Sequence, residues 1–179
     1  MIRTERLVLV PATPVLLRAE LAGSAAVAAA LGFAVPESWP PELFDADAVR
    51  YFLERGGDDP WRMSYVVRRA EEGREPELVG VAGFKGPPDA RGAVEIGYAI
   101  VEAQRRRGYA SEAVAALLRV AFESPEVTTV AGETLAHLHE SIGVLIKAGF
   151  EFAGDGYDPG APEGVRVVRY ERARGGEAA

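Results

Sequence analysis

Between Val94 and Ala121 the hydrophobic pattern of the chain changes period, from two to 3.6, around a single glycine. Along Val94–Val101, Ile96 and Tyr98 alternate with Glu95, Gly97 and Ala99, the pattern of a strand. From Ala110 onward, Ala110, Val114, Leu117, Leu118 and Ala121 recur at helical spacing, with Glu112, Arg119 and Glu123 elsewhere on the wheel. A strand that hands over to an amphipathic helix through Arg105-Arg106-Arg107-Gly108-Tyr109-Ala110 requires a sheet with a helix packed on it. The fold class is therefore mixed α and β.

The flanking segments extend that frame. Leu7–Val10 reads as a short strand, and Thr13-Pro14 as an N-cap with proline in the first helical turn. The alanine-rich stretch 15–31 then forms helix, interrupted at Gly23-Ser24 and stopped by Gly32. Phe33 to Pro41 is too rich in proline for helix and makes a loop carrying Trp39. Asp45 caps a helix through Leu53 that Gly56-Gly57 ends. Met63–Val67 and Leu78–Phe84 read as a hairpin about the turn Glu71–Pro76, and Gly86-Pro87-Pro88-Asp89 turns into the strand Val94–Val101. Val127–Ala131 is a further strand, Leu138–Ala148 a helix stopped by Gly149, and Phe150 and Phe152 open a strand that Val165–Tyr170 follows. The Arg, Gly, Glu and Ala residues after it have nothing to bury and form a flexible tail, 173–179.

With 179 residues and no shift in composition, one domain with a full core is expected. The net charge of -7 opposes binding to nucleic acid or to an anionic membrane. No apolar run approaches the length of a membrane span, and the reading is a cytoplasmic protein. Cysteine is absent, which removes disulfides, thiolate metal sites and any cysteine-linked acyl intermediate. His137 and His139, two apart and without an evident third ligand, make a poor metal pattern, so no metal is expected.

A glycine at a strand-to-helix turn lets the backbone approach a ligand, and the helix N-terminus beyond it offers free donors and positive potential. Gly108 has that place, with small Ala110 and Ser111 behind it and three arginines before it. An anion site and a solvated basic turn are both open on spacing alone. Neither G-x-x-x-x-G-K-[ST] nor G-x-G-x-x-G occurs in the chain.

Arg105, Gly108 and Ala110 occupy the three specified positions of [RQ]-x-x-G-x-[GA], and other pieces fall around them in order. Thr4-Glu5-Arg6-Leu7, Glu95-Ile96-Gly97-Tyr98, Gly108 to Ala113, and Lys147-Ala148-Gly149-Phe150 complete a set over roughly residues 3 to 172. As a set they resemble the GNAT superfamily of acyl-CoA-dependent N-acyltransferases, and in particular its ribosomal-protein N-terminal acetyltransferase-like branch. The resemblance implies a single α/β (α+β) domain, 1–172, with a mixed, mostly antiparallel twisted sheet, splayed central parallel strands and flanking helices. It also implies acetyl-CoA as cosubstrate, with its diphosphate on Arg105, Arg106, Arg107, Gly108, Tyr109, Ala110 and Ser111 and its pantetheine beside Ala99, Ile100 and Val101. Dimers are common in that superfamily, so a homodimer is among the assemblies implied. Leu138 departs from the pattern, standing where the branch usually has Asn three residues before the helix serine.

Within that resemblance Glu95 is the candidate base for an amine acceptor that arrives as an ammonium. The branch's helix serine falls on Ser141, the candidate proton donor to the departing thiolate. Trp39 and Phe84 are candidates for the acceptor site, and Lys147 for a coenzyme phosphate. With no cysteine, direct attack by a peptide N-terminal or small-molecule amine in a ternary complex is the simplest route. The alternative is a non-catalytic acyl-CoA sensor, which binds the coenzyme saturably and turns over no amine.

Overall fold

The computed structural model describes residues 1–55, 60–71, 73–158 and 160–175. It contains eight strands and five helices: β1 Ile2–Arg3, β2 Leu7–Pro11, α1 Pro14–Ala22, α2 Ser24–Leu31, α3 Ala46–Arg55, β3 Met63–Arg68, β4 Glu77–Phe84, β5 Ala93–Ile100, α4 Tyr109–Glu123, β6 Thr129–Leu135, α5 His139–Lys147, β7 Glu151–Asp155 and β8 Val167–Ala173. The strands form one sheet in the order β1-β2-β3-β4-β5-β6-β8-β7. Every neighbouring pair is antiparallel except β5 and β6, the two strands joined through α4. A parallel pair needs such a crossover, because a tight turn returns the chain in the opposite direction.

Local rules explain most boundaries. Thr13 caps α1, its hydroxyl accepting from the Leu16 N–H at 3.3 Å, and Gly23 separates α1 from α2. Asp45 Oδ1 accepts from the N–H groups of Asp47 and Ala48, both at 3.0 Å, and caps α3 as its position implied. The expected stop at Gly56-Gly57 lies outside the described residues. At the other end, the strand expected over 165–170 begins at Val167 and runs on to Ala173, which pairs with Thr129. Arg174 is also tied down, through its own N–H to Thr128 O at 2.8 Å and its Nε to Val127 O at 2.9 Å. Residues 173 and 174, expected in a flexible tail, are therefore held by long-range bonds invisible in composition, and 176–179 lie outside the described residues.

Two apolar clusters cover the two faces of the sheet. On one face Val94, Ile96 and Ile100 pack with Leu117, Leu118 and Ala121 of α4 and Leu145 of α5. On the other, Met63, Tyr65, Val67 and Val81 pack with Leu16, Leu17, Val27 and Val49 of α1 to α3. A register shift opposite Val66/Val67 inserts one residue into β4, so that Val79 joins the first cluster while Leu78 and Val81 join the second. Among the described residues no helix is long and apolar enough to cross a membrane.

The start of α4 is bolted to the beginning of the chain. Glu112, in its first turn, accepts from Thr4 Oγ1 at 2.5 Å, from the Arg6 N–H at 2.8 Å and from Arg6 Nε at 2.7 Å. Burial opposes the charge on Glu112, but these donors and the Arg6 guanidinium outweigh it and hold the carboxyl below its ordinary value of 4.5. A group held down in this way stabilises the fold above its unfolded pKa, and that contribution is lost as the pH falls through the folded value. Glu112→Gln should therefore lower unfolding stability by about 1–2 kcal/mol near pH 7. Measured by chemical denaturation, the difference from the parent chain should shrink below pH 4.5.

Candidate active site

The parallel pair is short. Its register runs from Ala93 opposite Thr129 to Ile96 opposite Gly132, and no further pair forms although β5 continues to Ile100 and β6 to Leu135. Past that point β5 stays with β4 as far as Gly80 opposite Ile100, while β6 stays with β8 as far as Leu135 opposite Val167. The sheet is thereby split by a gap between two strands that each remain paired on their outer side.

Alternation decides which backbone groups line this gap. Lys85 N–H donates to Glu95 O at 2.9 Å and Val101 N–H to Val79 O at 3.0 Å, so the odd-numbered residues of β5 aim their amides at β4. Ala99 and Val101 are turned away accordingly, and the groups of Tyr98 and Ile100 face the gap. The Ile100 carbonyl there accepts from Arg105 Nε at 3.0 Å.

The chain leaves β5 through a 3-10 turn, Glu102–Gln104, and reaches α4 by the arginine loop. Gly108 is the N-cap of α4 with φ 81 and ψ 5, and Arg106 also has a positive φ of 59. A Cβ at such a φ is strained, which is why glycine suits position 108. Helix α4 has no side-chain cap, unlike α1. No N-cap side chain thus takes up its first N–H groups, the kind of donors an anion can use. Arg106 and Arg107 are exposed, and Ala110 and Ser111 are half-buried. Arg105 is already committed, pairing with Glu42 Oε2 at 2.6 Å as well as with Ile100. The Tyr109 ring is buried beneath the Arg6 guanidinium, 5.0 Å from its centroid, so this residue offers the loop only its backbone. Arg6 also donates from Nη1 to Arg107 O at 2.9 Å and holds the loop's carbonyl inward.

Glu95 lies on the α1–α3 face at the edge of the gap, its carboxylate 2.5 Å from Lys85 Nζ. Burial works against the Lys85 ammonium, but Glu95, with Asp158 and Glu133 farther off, outweighs it and raises the lysine above its ordinary value. Beside this pair is a cavity of about 310 Å³ lined by Leu17, Phe52, Trp61, Met63, Phe84 and Lys85. Phe84 is among the lining residues, 1% exposed in the first core and packed edge-on against Trp61 at 4.9 Å. Trp39 is not. It is 6% exposed in the second core, stacked with Phe44 and Tyr65, and its Nε1 donates to Glu20 at 2.6 Å.

Ser141 is on the opposite face, at the first turn of α5. Its hydroxyl donates to Tyr98 Oη at 3.1 Å, and Tyr98 Oη donates to the Ser141 carbonyl at 2.8 Å. Burial pushes the Tyr98 hydroxyl up to about 12 despite that contact. Tyr98 was missed in the sequence, where it reads only as an apolar-face residue; the usable signal was that a buried tyrosine hydroxyl requires a partner. Glu133 was missed too. Across the gap from Gly97, it is held by Arg169 Nη1 at 2.9 Å and accepts from the Tyr157 N–H at 3.1 Å. Leu138 is the N-cap of α5 and makes no side-chain cap, while His137, His139 and Lys147 are exposed. Among the described residues no three His, Asp or Glu side chains converge as a metal site.

Comparison with known proteins agrees with this architecture. Residues 6–151 match the family model of the acetyltransferase (GNAT) domain. A Bacillus subtilis protein named as the uncharacterized N-acetyltransferase YjdG is 32% identical over 130 residues, covering 67% of this chain and 71% of that protein. Among solved structures, a GNAT-family acetyltransferase from Bacillus anthracis superposes with a TM-score of 0.63 at 20% identity, over 96% of this chain and 97% of its own. RimL, a ribosomal L7/L12 α-N-protein acetyltransferase in complex with coenzyme A, superposes with a TM-score of 0.65 at 17% identity, over 95% of both chains. With the family match spanning β2 to the start of β7, the chain belongs to the GNAT acetyltransferases.

Proposed function

We propose that this protein transfers acetyl from acetyl-CoA to a primary amine, on a peptide N-terminus or a small molecule, by direct attack in a ternary complex. The observation that carries the reading is the parting of β5 from β6 beside an uncapped helix N-terminus. A gap edged by strand backbone accepts an extended amide-containing chain as a further strand, and the helix start accepts a diphosphate. RimL holds coenzyme A in the same fold.

The residues divide the work by face. The N–H groups of Arg106 to Ser111 bind the diphosphate, with the Arg106 and Arg107 side chains adding charge. The bound thioester supplies the activated acetyl group. Gap-facing N–H groups of Tyr98 and Ile100 donate to its carbonyl oxygen, where negative charge grows during attack. From the cavity on the α1–α3 face an amine reaches Glu95, which takes its proton. On the α4–α5 face Ser141, hydrogen-bonded to Tyr98, returns a proton to the departing sulfur. The gap is the passage through which the two faces meet, so a base and an acid on opposite sides of one strand can serve one reaction.

Thiol release from acetyl-CoA across a panel of primary amines tests this directly. Steady-state rates should give intersecting double-reciprocal lines, as a ternary complex requires. Saturable coenzyme binding with no thiol release on any amine would leave the chain as a sensor. Glu95→Gln should lower kcat by about 10²-fold or more with coenzyme affinity unchanged. Gly108→Glu combines a strained φ with a like charge at the diphosphate, and should weaken coenzyme binding by calorimetry about tenfold or more. Unchanged affinity in that variant would remove the loop from the site.

A further inference from the structure

Lys85 and Lys147 are the only lysines in the chain, and their settings differ sharply. Lys147 is exposed in the last turn of α5. Lys85 follows β4, where its backbone N–H donates to Glu95 O at 2.9 Å and its Nζ lies 2.5 Å from the Glu95 carboxylate. Its methylene stem crosses Gly97: a Cβ on that glycine would meet Lys85 Cε at 3.4 Å. Gly97 is the first β5 residue beyond the last rung shared with β6. The ammonium end of Lys85 therefore reaches the apex of the gap, within the field of Glu133 on the opposite bank.

A catalytic base must touch the nitrogen that it deprotonates. The side-chain nitrogen touching Glu95 here is Lys85 Nζ, a primary amine in the place assigned above to the acceptor. Resting on the acetyl-transfer reading, we propose that Lys85 is a self-acetylation site, taking one acetyl group from acetyl-CoA bound by the same chain. Nζ sheds a first proton to Glu95, forms its bond to the acetyl carbonyl carbon as the carbon–sulfur bond breaks, and sheds a second proton as the amide forms. Ser141 protonates the departing coenzyme thiolate and is restored by one of these protons, and the other goes to solvent. The product is a neutral amide at Lys85, so the reaction runs once per chain. It is slow, because burial is outweighed by the carboxylates around Lys85 and the lysine is held in its ammonium form.

The full-length chain is incubated with acetyl-CoA and no amine, and acetylation at each lysine is followed by intact mass and peptide mapping. Lys85 should be labelled about tenfold or more faster than exposed Lys147, as proximity to the donor requires. Glu95→Gln, and the parent chain in denaturant, should lose that preference. Equal labelling of the two lysines in the native chain, or none at Lys85, overturns the proposal. Thiol release with the amine panel is measured on the same preparation. Amine turnover with Lys85 unlabelled overturns self-acetylation alone, whereas no labelling and no turnover on any amine overturns the acetyl-transfer reading with it.

Discussion

Four residue pairs join β5 to β6, and then the two strands part. Each keeps its other neighbour, β4 for β5 and β8 for β6, so the parting leaves backbone donors and acceptors without a strand partner on one side and does not undo the sheet. Backbone polar groups left in this way require a partner other than a strand, as the Ile100 carbonyl finds in Arg105. The position of everything else follows. The loop before α4 lies at the end of β5, the Glu95–Lys85 pair borders the gap on one face, and the Tyr98–Ser141 pair borders it on the other.

Electrostatics in this protein are local rather than global. A net charge of -7 says little about a chain that gathers Arg106 and Arg107 at the start of one helix and encloses Lys85 among carboxylates at the end of β4. For two charges in contact near a protein surface the attraction is about 4 kcal/mol, enough to outweigh partial burial. Attraction to Glu95 is what keeps Lys85 charged, and hydrogen bonds from Thr4 and Arg6 are what keep Glu112 ionised, although burial opposes both. Glu112 repays its place in α4 through Arg6, whose guanidinium also covers Tyr109 and secures the Arg107 carbonyl. The turn between β1 and β2 thus shapes a loop about a hundred residues later in sequence.

Residues whose role depends on near neighbours were legible. Thr13, Gly23 and Asp45 act through bonds to residues two to four positions away, so their types and spacing were enough. Residues whose role depends on distant partners were not. Trp39, read as a substrate aromatic, closes a core because Glu20, Phe44 and Tyr65 surround it. Tyr98, read as packing, meets Ser141 forty-three residues on. Arg105, read with its neighbours as a coenzyme ligand, is taken up by Glu42 and Ile100. The two-residue strand β1 and the extension of β8 to Ala173 exist only through pairing, which leaves little trace in so few residues.

By itself the sequence determined the class of fold, the order of its elements from β2 onward and the glycine turn at the head of α4, because period, capping and the positive φ at Gly108 are properties of short segments. Tertiary structure decided where β5 leaves β6, which amides face the gap, and which amine touches Glu95. Those features depend on register between strands far apart in the chain, and a shift of one residue would turn every amide and side chain on β5 the other way.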